Sequence, residues 1–226
     1  MLESEFYKKI AKLLYSRIFL LRKHIYRIVN IRRVKTILDA GSGYGYITRE
    51  LCLRTNAKVY GLEKDKNKIS DALPLPPNGE YILGNMERAP FNNETFDFIL
   101  FHFSLMWMKA NHALSEAYRI LRKNGWIAII EPDYGGRVEY PETGAKEKII
   151  LALKESGADP FIGRKLYHLS IKNGFVPVEY AVLSWHYDKE IRKIESMDEI
   201  NTYHVTPPEI AYLPIFWLVA RKPISK

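Results

Sequence analysis

The stretch ILDAGSGYGYIT places a carboxylate and closely spaced glycines directly after an apolar run. Its spacing is Asp39-x-Gly41-x-Gly43-x-Gly45, in which glycine permits positive φ and lets the backbone approach a ligand closely. The dinucleotide fingerprint G-x-G-x-x-G would need a glycine where this chain has Tyr46. A carboxylate at Asp39 would repel a pyrophosphate, whereas it would attract a ligand that carries an ammonium group.

Two further polar positions follow neighbouring predicted strands. Glu63 ends the stretch AKVYGLE, where a carboxylate can accept hydrogen bonds from both hydroxyls of a ribose. Asn85 and Met86 follow the next strand, where an amide can bond the edge of an adenine and an apolar side chain can cover its face. The carboxyl ends of parallel strands meet at one edge of a sheet, so we expect these residues to lie near Asp39. An ammonium, a ribose and an adenine in a row match S-adenosylmethionine.

The elements that must position these residues alternate between strands and helices up to residue 133. Apolar runs predict five strands, at residues 34–40, 57–63, 81–84, 96–103 and 126–133. Periodicity predicts helices at 46–54, at 109–123 and over 4–29, the last as one helix or as two divided near Ser16. Prolines 74, 76 and 77 keep the helix after the second strand short. This alternation predicts βαβ units and a parallel sheet.

The pattern changes after residue 133. The segment YGGRVEYPETG predicts a loop, residues 145–156 and 163–173 predict helices, and residues 174–187 and 212–222 predict two long strands. Between these strands lie a charged stretch with helical character, residues 188–200, and a looser one, residues 201–210.

At the quoted residues the chain resembles the class I S-adenosylmethionine-dependent methyltransferases, in particular the small-molecule, methyltransferase-11-like type. The resemblance rests on VKTILDAGSGYGYIT, VYGLEKD, GNMERAPFNNETFDFILFHFSLMW and ALSEAYRILRKNGWIAIIEPD, which together span roughly residues 34–133. It implies an α/β, doubly wound, Rossmann-like sheet of seven strands in the order 3-2-1-4-5-7-6, with strand 7 antiparallel. It also implies a single domain over residues 1–226, composed of a basic N-terminal helical segment (1–33), a cofactor-binding half (34–133) and an acceptor-side part (134–226).

The resemblance also implies which residues hold S-adenosyl-L-methionine. The residues around the glycine loop would surround its methionine end, Glu63 its ribose, and Asn85 and Met86 its adenine, with His102 closing the site. The full set of candidate cofactor residues is Asp39, Gly41, Ser42, Gly43, Glu63, Lys64, Asn85, Met86, His102 and Arg17. Many family members carry aspartate where this chain has Asn85, and an amide oxygen can still pair with the adenine amino group.

The chemistry itself asks little of the chain. Methyl transfer from a sulfonium is an in-line displacement, so the enzyme mainly positions the acceptor and excludes water, and a general base is optional. The candidates for such a base are His102, Asp133 and Tyr134, and no catalytic residue is assigned. The sequence FSLMW after the fourth strand differs from the Asn/Asp-Pro-Pro-Tyr/Phe motif of many amino-group methyltransferases, and Cys52 is expected to pack in the core rather than act as a nucleophile.

Charge is concentrated at the N-terminus. Residues 1–35 contain ten Lys and Arg and two acids, which accounts for the net charge of +8 of the 226-residue chain. The basic helix is expected to pack on the fold with its lysines solvated. It is expected in addition either to act as a lid over the cofactor and acceptor, with Arg17 near the cofactor carboxylate, or to bind RNA or an acidic protein surface. A membrane-surface role fits the amphipathic pattern less well.

The remaining expectations follow from composition. One cysteine excludes intrachain disulfides and argues against a cysteine metal site, so we expect no metal. We also expect no membrane span, no signal peptide and a cytoplasmic location. The preferred function is methylation of a small-molecule acceptor; the alternatives are methylation of RNA or protein, a non-catalytic cofactor-binding subunit and, more distantly, an NAD-dependent oxidoreductase. Acceptor and oligomeric state are not predicted.

Overall fold

A parallel sheet flanked by helices organises the chain. The computed structural model describes residues 2–186 and 208–224, and within these ranges it contains seven α-helices and eight strands. The helices are α1 (Leu2–Arg17), α2 (Phe19–Ile28), α3 (Tyr46–Arg54), α4 (Lys66–Ser70), α5 (Ala110–Ile120), α6 (Ala145–Glu155) and α7 (Leu166–Lys172). The strands are β1 (Thr36–Ala40), β2 (Lys58–Glu63), β3 (Gly79–Leu83), β4 (Phe96–His102), β5 (Leu121–Pro132), β6 (Val138–Tyr140), β7 (Val176–His186) and β8 (Ile210–Arg221).

The strand order confirms the predicted doubly wound topology. Strands β3, β2, β1, β4 and β5 run parallel in that order, β8 pairs antiparallel with β5, and β7 pairs antiparallel with β8. Strands β7 and β8 are the sixth and seventh strands of the prediction, so the order 3-2-1-4-5-7-6 is found, with the reversed strand where it was expected.

One strand was missed. Residues of the predicted loop after β5 form β6, whose Val138 pairs with Tyr212 and whose Tyr140 pairs with Ile210. Strand β8 begins before the point at which its pairing with β5 stops, at Ile215, so its first residues have unpaired backbone groups. Strand β6 satisfies those groups, which supplies the reason that a three-residue segment becomes extended.

The predicted helix over 109–123 ends earlier than expected. Helix α5 stops at Ile120, and the fully buried Leu121 already belongs to β5, where it pairs with Phe96. Asn124 turns the chain with a φ of 62°. Burial of Leu121 against β4 therefore outweighs the helical periodicity that continues through these residues.

The basic N-terminal segment forms two helices. The division falls at Ile18, close to Ser16, whose hydroxyl donates to the carbonyl of Leu13 at 2.9 Å and so competes with the helical hydrogen-bond ladder. Ile18 and Ile25 are buried in a core that they share with Phe98 and other apolar residues of β1, β4, β5 and β8. A second core lies on the other face of the sheet, so the central strands are apolar on both sides.

Some predictions fall outside the described ranges. The charged stretch 188–200 and most of the looser stretch 201–210 lie there, as does the last predicted residue of the 174–187 strand. Among the helices that the structure describes, none has the length and apolar content needed to cross a bilayer.

Candidate functional site

The glycine loop after β1 is held by backbone contacts to the neighbouring strand. The amides of Gly41 and Ser42 both donate to the carbonyl of Leu62, at 2.8 and 3.0 Å. Gly41 has a φ of +83°, and a Cβ at this position would lie 2.6 Å from Cβ of Ser104, in the loop after β4. A side chain at Gly41 is therefore excluded both by the backbone conformation and by close packing.

Gly43 differs from its neighbours because open space lies beside it. Its φ is +53°, and a Cβ added there would meet no heavy atom within 4 Å. Its amide donates to Oε2 of Glu63 at 2.9 Å, so the open space adjoins a carboxylate. A side chain at Gly43 would therefore meet no other described part of the protein, so this side of the loop is open.

Glu63 organises the turn after β2. Its Oε1 accepts from the amides of Lys64 and Asp65 at 2.9 and 3.0 Å, and its side chain is 7% exposed. A carboxylate offers about four acceptor positions. Three of these acceptor positions are used by the amides of Gly43, Lys64 and Asp65. The Gly43 contact joins the carboxylate to the glycine loop, beside the open space.

Asp39 lies at the carboxyl end of β1 and is 2% exposed. Its Oδ2 accepts a hydrogen bond of 2.6 Å from the Thr48 hydroxyl. Burial raises the pKa of Asp39 to about 7, the Thr48 hydrogen bond opposes this rise, and the nearby Glu63 carboxylate adds to it. A cationic group beside Asp39 would relieve this unfavourable electrostatic environment.

Strand register brings the three predicted recognition points to one edge of the sheet. Ala40 of β1 pairs with Leu62 of β2, and Glu63 pairs with Leu83 of β3. Asp39, Glu63 and the residue that follows β3 by two positions, Asn85, therefore occupy successive strand ends.

The two candidate adenine contacts, Asn85 and Met86, differ in exposure. Asn85 is exposed, and its Oδ1 accepts from the amide of Glu87 at 2.9 Å. Met86 is 2% exposed and belongs to the core beside Leu62. Helix α4 is only five residues long, as the prolines predict, so this side carries a short helix.

Ser42 supplies a polar group without a partner. The residue is 8% exposed, and no described hydrogen bond in residues 2–186 and 208–224 reaches its buried hydroxyl. Buried hydroxyls normally form hydrogen bonds, so this group is suited to receive one from a bound molecule.

The buried arginine of the N-terminal segment is Arg22, which was not among the predicted site residues. Arg17 is exposed, whereas Arg22 is fully buried. Arg22 donates to Oε2 of Glu50 through Nε at 3.2 Å and Nη2 at 2.7 Å, and through Nη1 to the carbonyl of Tyr15 at 2.7 Å. A signal was present, because Ile18, Arg22 and Ile25 share the four- and three-residue steps of the apolar face.

His102 ends β4 and faces this arginine. Its Nε2 lies 3.4 Å from Nη1 of Arg22, and burial together with the Arg22 charge lowers the pKa of His102 well below its ordinary value. A guanidinium can only donate, so Nε2 accepts and the imidazole is neutral with its proton on Nδ1. The nitrogen of His102 that could accept a proton therefore already accepts a hydrogen bond from Arg22.

Asp133 directly follows β5, and its carboxylate forms hydrogen bonds within the protein. Its carboxylate accepts from Nε and Nη2 of Arg164, both at 2.6 Å, and from the amide of Gly136 at 3.0 Å. The next residue, Tyr134, donates its amide to the carbonyl of Pro160 at 2.9 Å. These contacts fix the loop after β5.

A buried carboxylate on β5 was not predicted. Glu131 is fully buried, and its Oε1 accepts from the amides of Ser104 and Leu105 at 2.8 and 2.6 Å. Burial raises its pKa to about 8 although these amides lower it, and Oε2 has no partner among the described residues. The signal was an acid within the apolar run WIAIIEP. Glu131 therefore holds the loop that packs against Gly41.

Cys52 packs in the core, as predicted. It is 4% exposed, burial raises its pKa to about 11, and a Cβ on Gly79 would lie 2.5 Å from its Sγ. Across the described ranges, no three His, Cys, Asp or Glu side chains are grouped so that they could hold a metal ion.

Residues 38–129 match the family model described as a methyltransferase domain. This part of the chain, 92 of its 226 residues, is similar to methyltransferase domains. The matched residues run from β1 to β5 and include Asp39, the glycine loop, Glu63 and Asn85.

Relatives of the methyltransferase domain have several different names. The chain is 27% identical over 144 residues to the mitochondrial arginine hydroxylase NDUFAF5 of Mus musculus, which covers 61% of this chain and 41% of that protein. It is 24% identical over 172 residues to malonyl-[acyl-carrier protein] O-methyltransferase of Buchnera aphidicola, covering 76% of this chain and 67% of that protein. The chain thus spans less than half the length of the mouse relative.

A solved structure shares the fold of the methyltransferase domain. Geranyl diphosphate C-methyltransferase of Streptomyces coelicolor, solved with Mg²⁺, geranyl diphosphate and S-adenosyl-L-homocysteine, superposes with a TM-score of 0.61 at 16% identity. The superposition covers 83% of this chain and 71% of that chain.

Proposed function

We propose that the protein is an S-adenosyl-L-methionine-dependent methyltransferase that acts on a small-molecule acceptor. The observation that carries the proposal is the open space beside Gly43, bordered by the Glu63 carboxylate to which the Gly43 amide donates. Asp39, Glu63 and Asn85 lie at or just after the carboxyl ends of the adjacent strands β1, β2 and β3. An ammonium, a ribose and an adenine require the same order of partners.

The residues at the site fit the cofactor. Within the described part of the chain the buried Ser42 hydroxyl has no partner, and Asp39 has one carboxylate oxygen beyond the one that Thr48 engages. In the proposed complex Asp39, Gly41, Ser42 and Gly43 border the methionine end, and Glu63 and Lys64 border the ribose. Asn85 and Met86 are the proposed adenine contacts, and Arg17 and His102 remain proposed contacts at the margin of the site.

The cofactor, when bound, supplies a methyl group already activated by its sulfonium. The chain then has to orient the acceptor, exclude water and avoid competing proton transfers. Neutral His102 fits this role better than that of a general base, because Arg22 engages its Nε2. Asp133 is an unsuitable base for the same kind of reason, since Arg164 and Gly136 engage its carboxylate.

The names of two relatives support a small acceptor group, and the packing of the N-terminal helices supports a lid. Helices α1 and α2 pack beside the glycine-loop helix α3, where Tyr15 stacks on Tyr46 with ring centroids 5.5 Å apart. We propose that residues 1–33 act as a lid and that residues 134–226 form the acceptor side of one domain. The names of two relatives specify methyl transfer to malonyl-acyl carrier protein and to geranyl diphosphate. A cytoplasmic location is part of the same proposal.

Two measurements on the purified protein test the function. Calorimetry should detect S-adenosyl-L-methionine binding with a Kd in the micromolar range, about −8 kcal/mol. Tritium from the labelled methyl group should then enter a small-molecule fraction of a cell extract, to be identified by mass spectrometry.

The outcomes separate the alternatives. Absence of binding contradicts the cofactor assignment. Binding without transfer indicates a non-catalytic subunit, and label in RNA or protein indicates a macromolecular acceptor. An oxidised product without label would match the activity named for the mouse relative instead. Competition by NAD would favour a dinucleotide site.

A further inference from the structure

A group of cations lies at the amino edge of the sheet, opposite the proposed cofactor site. Arg32, Arg33 and Lys35 precede β1, and Lys123 lies in the turn within β5. All four side chains are exposed. We call these four residues the amino-edge patch.

Hydrogen bonds show that the two parts of the amino-edge patch are neighbours. The Lys35 amide donates to Oδ2 of Asp97 at 2.9 Å. Nη1 of Arg122, the residue before Lys123, donates to Oδ1 of Asp97 at 2.7 Å and to the Thr36 hydroxyl at 3.1 Å. One carboxylate therefore joins the segment before β1 to the start of β5.

The acids beside the amino-edge patch are already engaged. Asp97 pairs with Arg122, and Glu94 lies 3.5 Å from Nζ of Lys222. By contrast, no side-chain hydrogen bond or ion pair within residues 2–186 and 208–224 engages any of the four patch cations. Their charges therefore face solvent and can pair with an external anion.

An ordered arginine extends the amino-edge patch. The Arg221 guanidinium lies 3.8 Å from the centroid of the Trp126 ring and donates to Oδ1 of Asn124, the residue after Lys123. A guanidinium already held against an indole loses little side-chain freedom when it binds a phosphate.

We propose that the amino-edge patch binds the phosphate backbone of a nucleic acid. Several cations at adjacent positions match a chain of closely spaced phosphates, and binding releases condensed counterions. An anionic membrane is a poorer match because surface-bound proteins also insert apolar side chains. Residues 30–36, 94–98 and 121–126 contain none of the large exposed apolar side chains of the described ranges, and one such side chain, Val176, pairs with Arg221.

This nucleic-acid surface is independent of the cofactor site. The amino and carboxyl ends of β1 are on the order of 15 Å apart, from about 3.3 Å per residue. The nucleic acid would therefore bind without cofactor and without covering the glycine loop. It would localise the protein or its acceptor rather than supply the methylated group.

The test is fluorescence anisotropy with a fluorescein-labelled single-stranded RNA of about 20 nucleotides, without cofactor and between about 50 and 200 mM salt. The wild type should bind at low salt, with a log Kd that rises linearly with log salt. The variant Arg33→Ala/Lys123→Ala should bind about tenfold more weakly and lower the salt slope by about 1.5. A second variant, Arg32→Ala/Lys35→Ala, should act in the same direction.

The matched control is Lys154→Ala/Lys172→Ala, which removes the same charge from exposed positions on α6 and α7. It should leave Kd and slope unchanged, and circular dichroism should show that all variants fold. An absence of RNA binding at low salt, or equal losses in patch and control variants, overturns the proposal. Stronger patch-dependent sedimentation with phosphatidylserine vesicles than binding to RNA also overturns it, in favour of a lipid surface. Cofactor binding is measured separately, so either proposal can fail alone.

Discussion

Nη1 of Arg22 on α2 lies 3.4 Å from Nε2 of His102 at the end of β4. This contact links the N-terminal helices to the carboxyl end of a central strand. The same guanidinium pairs with Glu50 of α3 and lies 4.5 Å from the Tyr15 ring centroid. One buried cation therefore fixes the relative positions of α1, α2, α3 and β4.

Replacing Arg22 by methionine should destabilise the protein by about 3 kcal/mol, because Glu50 keeps its buried charge without its main partner. The double variant Arg22→Met/Glu50→Met should lose less than the single variant. Urea unfolding followed by circular dichroism measures both. A single variant as stable as the wild type would show that the ion pair contributes nothing.

Replacing Glu63 by alanine should weaken S-adenosyl-L-methionine binding about 10- to 100-fold, the range for lost hydrogen bonds to a charged group. Calorimetry measures the change. Glu80→Ala is the matched control, since this residue lies on the adjacent strand β3 and forms an exposed ion pair with Lys58. Equal effects from the two variants would contradict a ribose-binding role for Glu63.

Cofactor affinity should fall as the pH drops below about 7, because the raised pKa of Asp39 is about 7 and its protonated form cannot attract an ammonium. Binding should also release protons near that pH. The variant Asp39→Asn should bind more weakly and lose this pH dependence, while the amide oxygen can still accept from Thr48. Calorimetry in buffers of different ionisation enthalpy measures the released protons, and a wild-type Kd that stays flat between about pH 6 and 8 would contradict the assignment.

Two glycines allow the open space to be tested separately from backbone strain. Gly43 and Gly144 have φ values of +53° and +72°, and a Cβ at either would meet no heavy atom within 4 Å. Alanine at each should cost a similar, small amount of stability, about 1–2 kcal/mol. Only Gly43→Ala should reduce cofactor binding, by at least about tenfold, because its methyl group enters the proposed ligand space. Thermal unfolding measures the stability of both variants, and calorimetry measures their affinity for the cofactor.

The variant Glu131→Gln should gain stability relative to the wild type as the pH rises from about 5 to 9. The folded protein holds the Glu131 proton up to about pH 8, whereas the unfolded chain releases it near 4.5, so the wild-type free energy of unfolding falls across this window. The gain should be about 1–3 kcal/mol, with glutamine keeping an acceptor for Ser104 and Leu105. A pH-independent difference between the two proteins would contradict it.

The framework of the fold was accessible from sequence because its signals are local. Helix α3 has the predicted bounds, and the sheet order followed from the resemblance at the glycine loop and Glu63. Strand β6 was not accessible, since it exists only because β8 extends past β5 and leaves backbone groups to be paired.

Placement was predictable where residue type and strand end coincide, as for Asp39 and Glu63 at the ends of β1 and β2, whose contacts with the cofactor are proposals. It was not predictable where partners come from distant segments. Asp133 has the sequence position of a site residue, yet its role depends on Arg164, 31 residues later. Arg22 shares the steps of the apolar face of its helix, but no local signal identifies Glu50 and His102, 28 and 80 residues away, as its partners.

The burial of Cys52 turns the lone sulfhydryl of this chain into an internal reporter. Its Sγ sits where any side chain on Gly79 would collide, so an alkylating reagent reaches it only after α3 separates from the start of β3. The rate of alkylation under native conditions would then report how often the helix that follows the glycine loop opens locally, without any engineered probe.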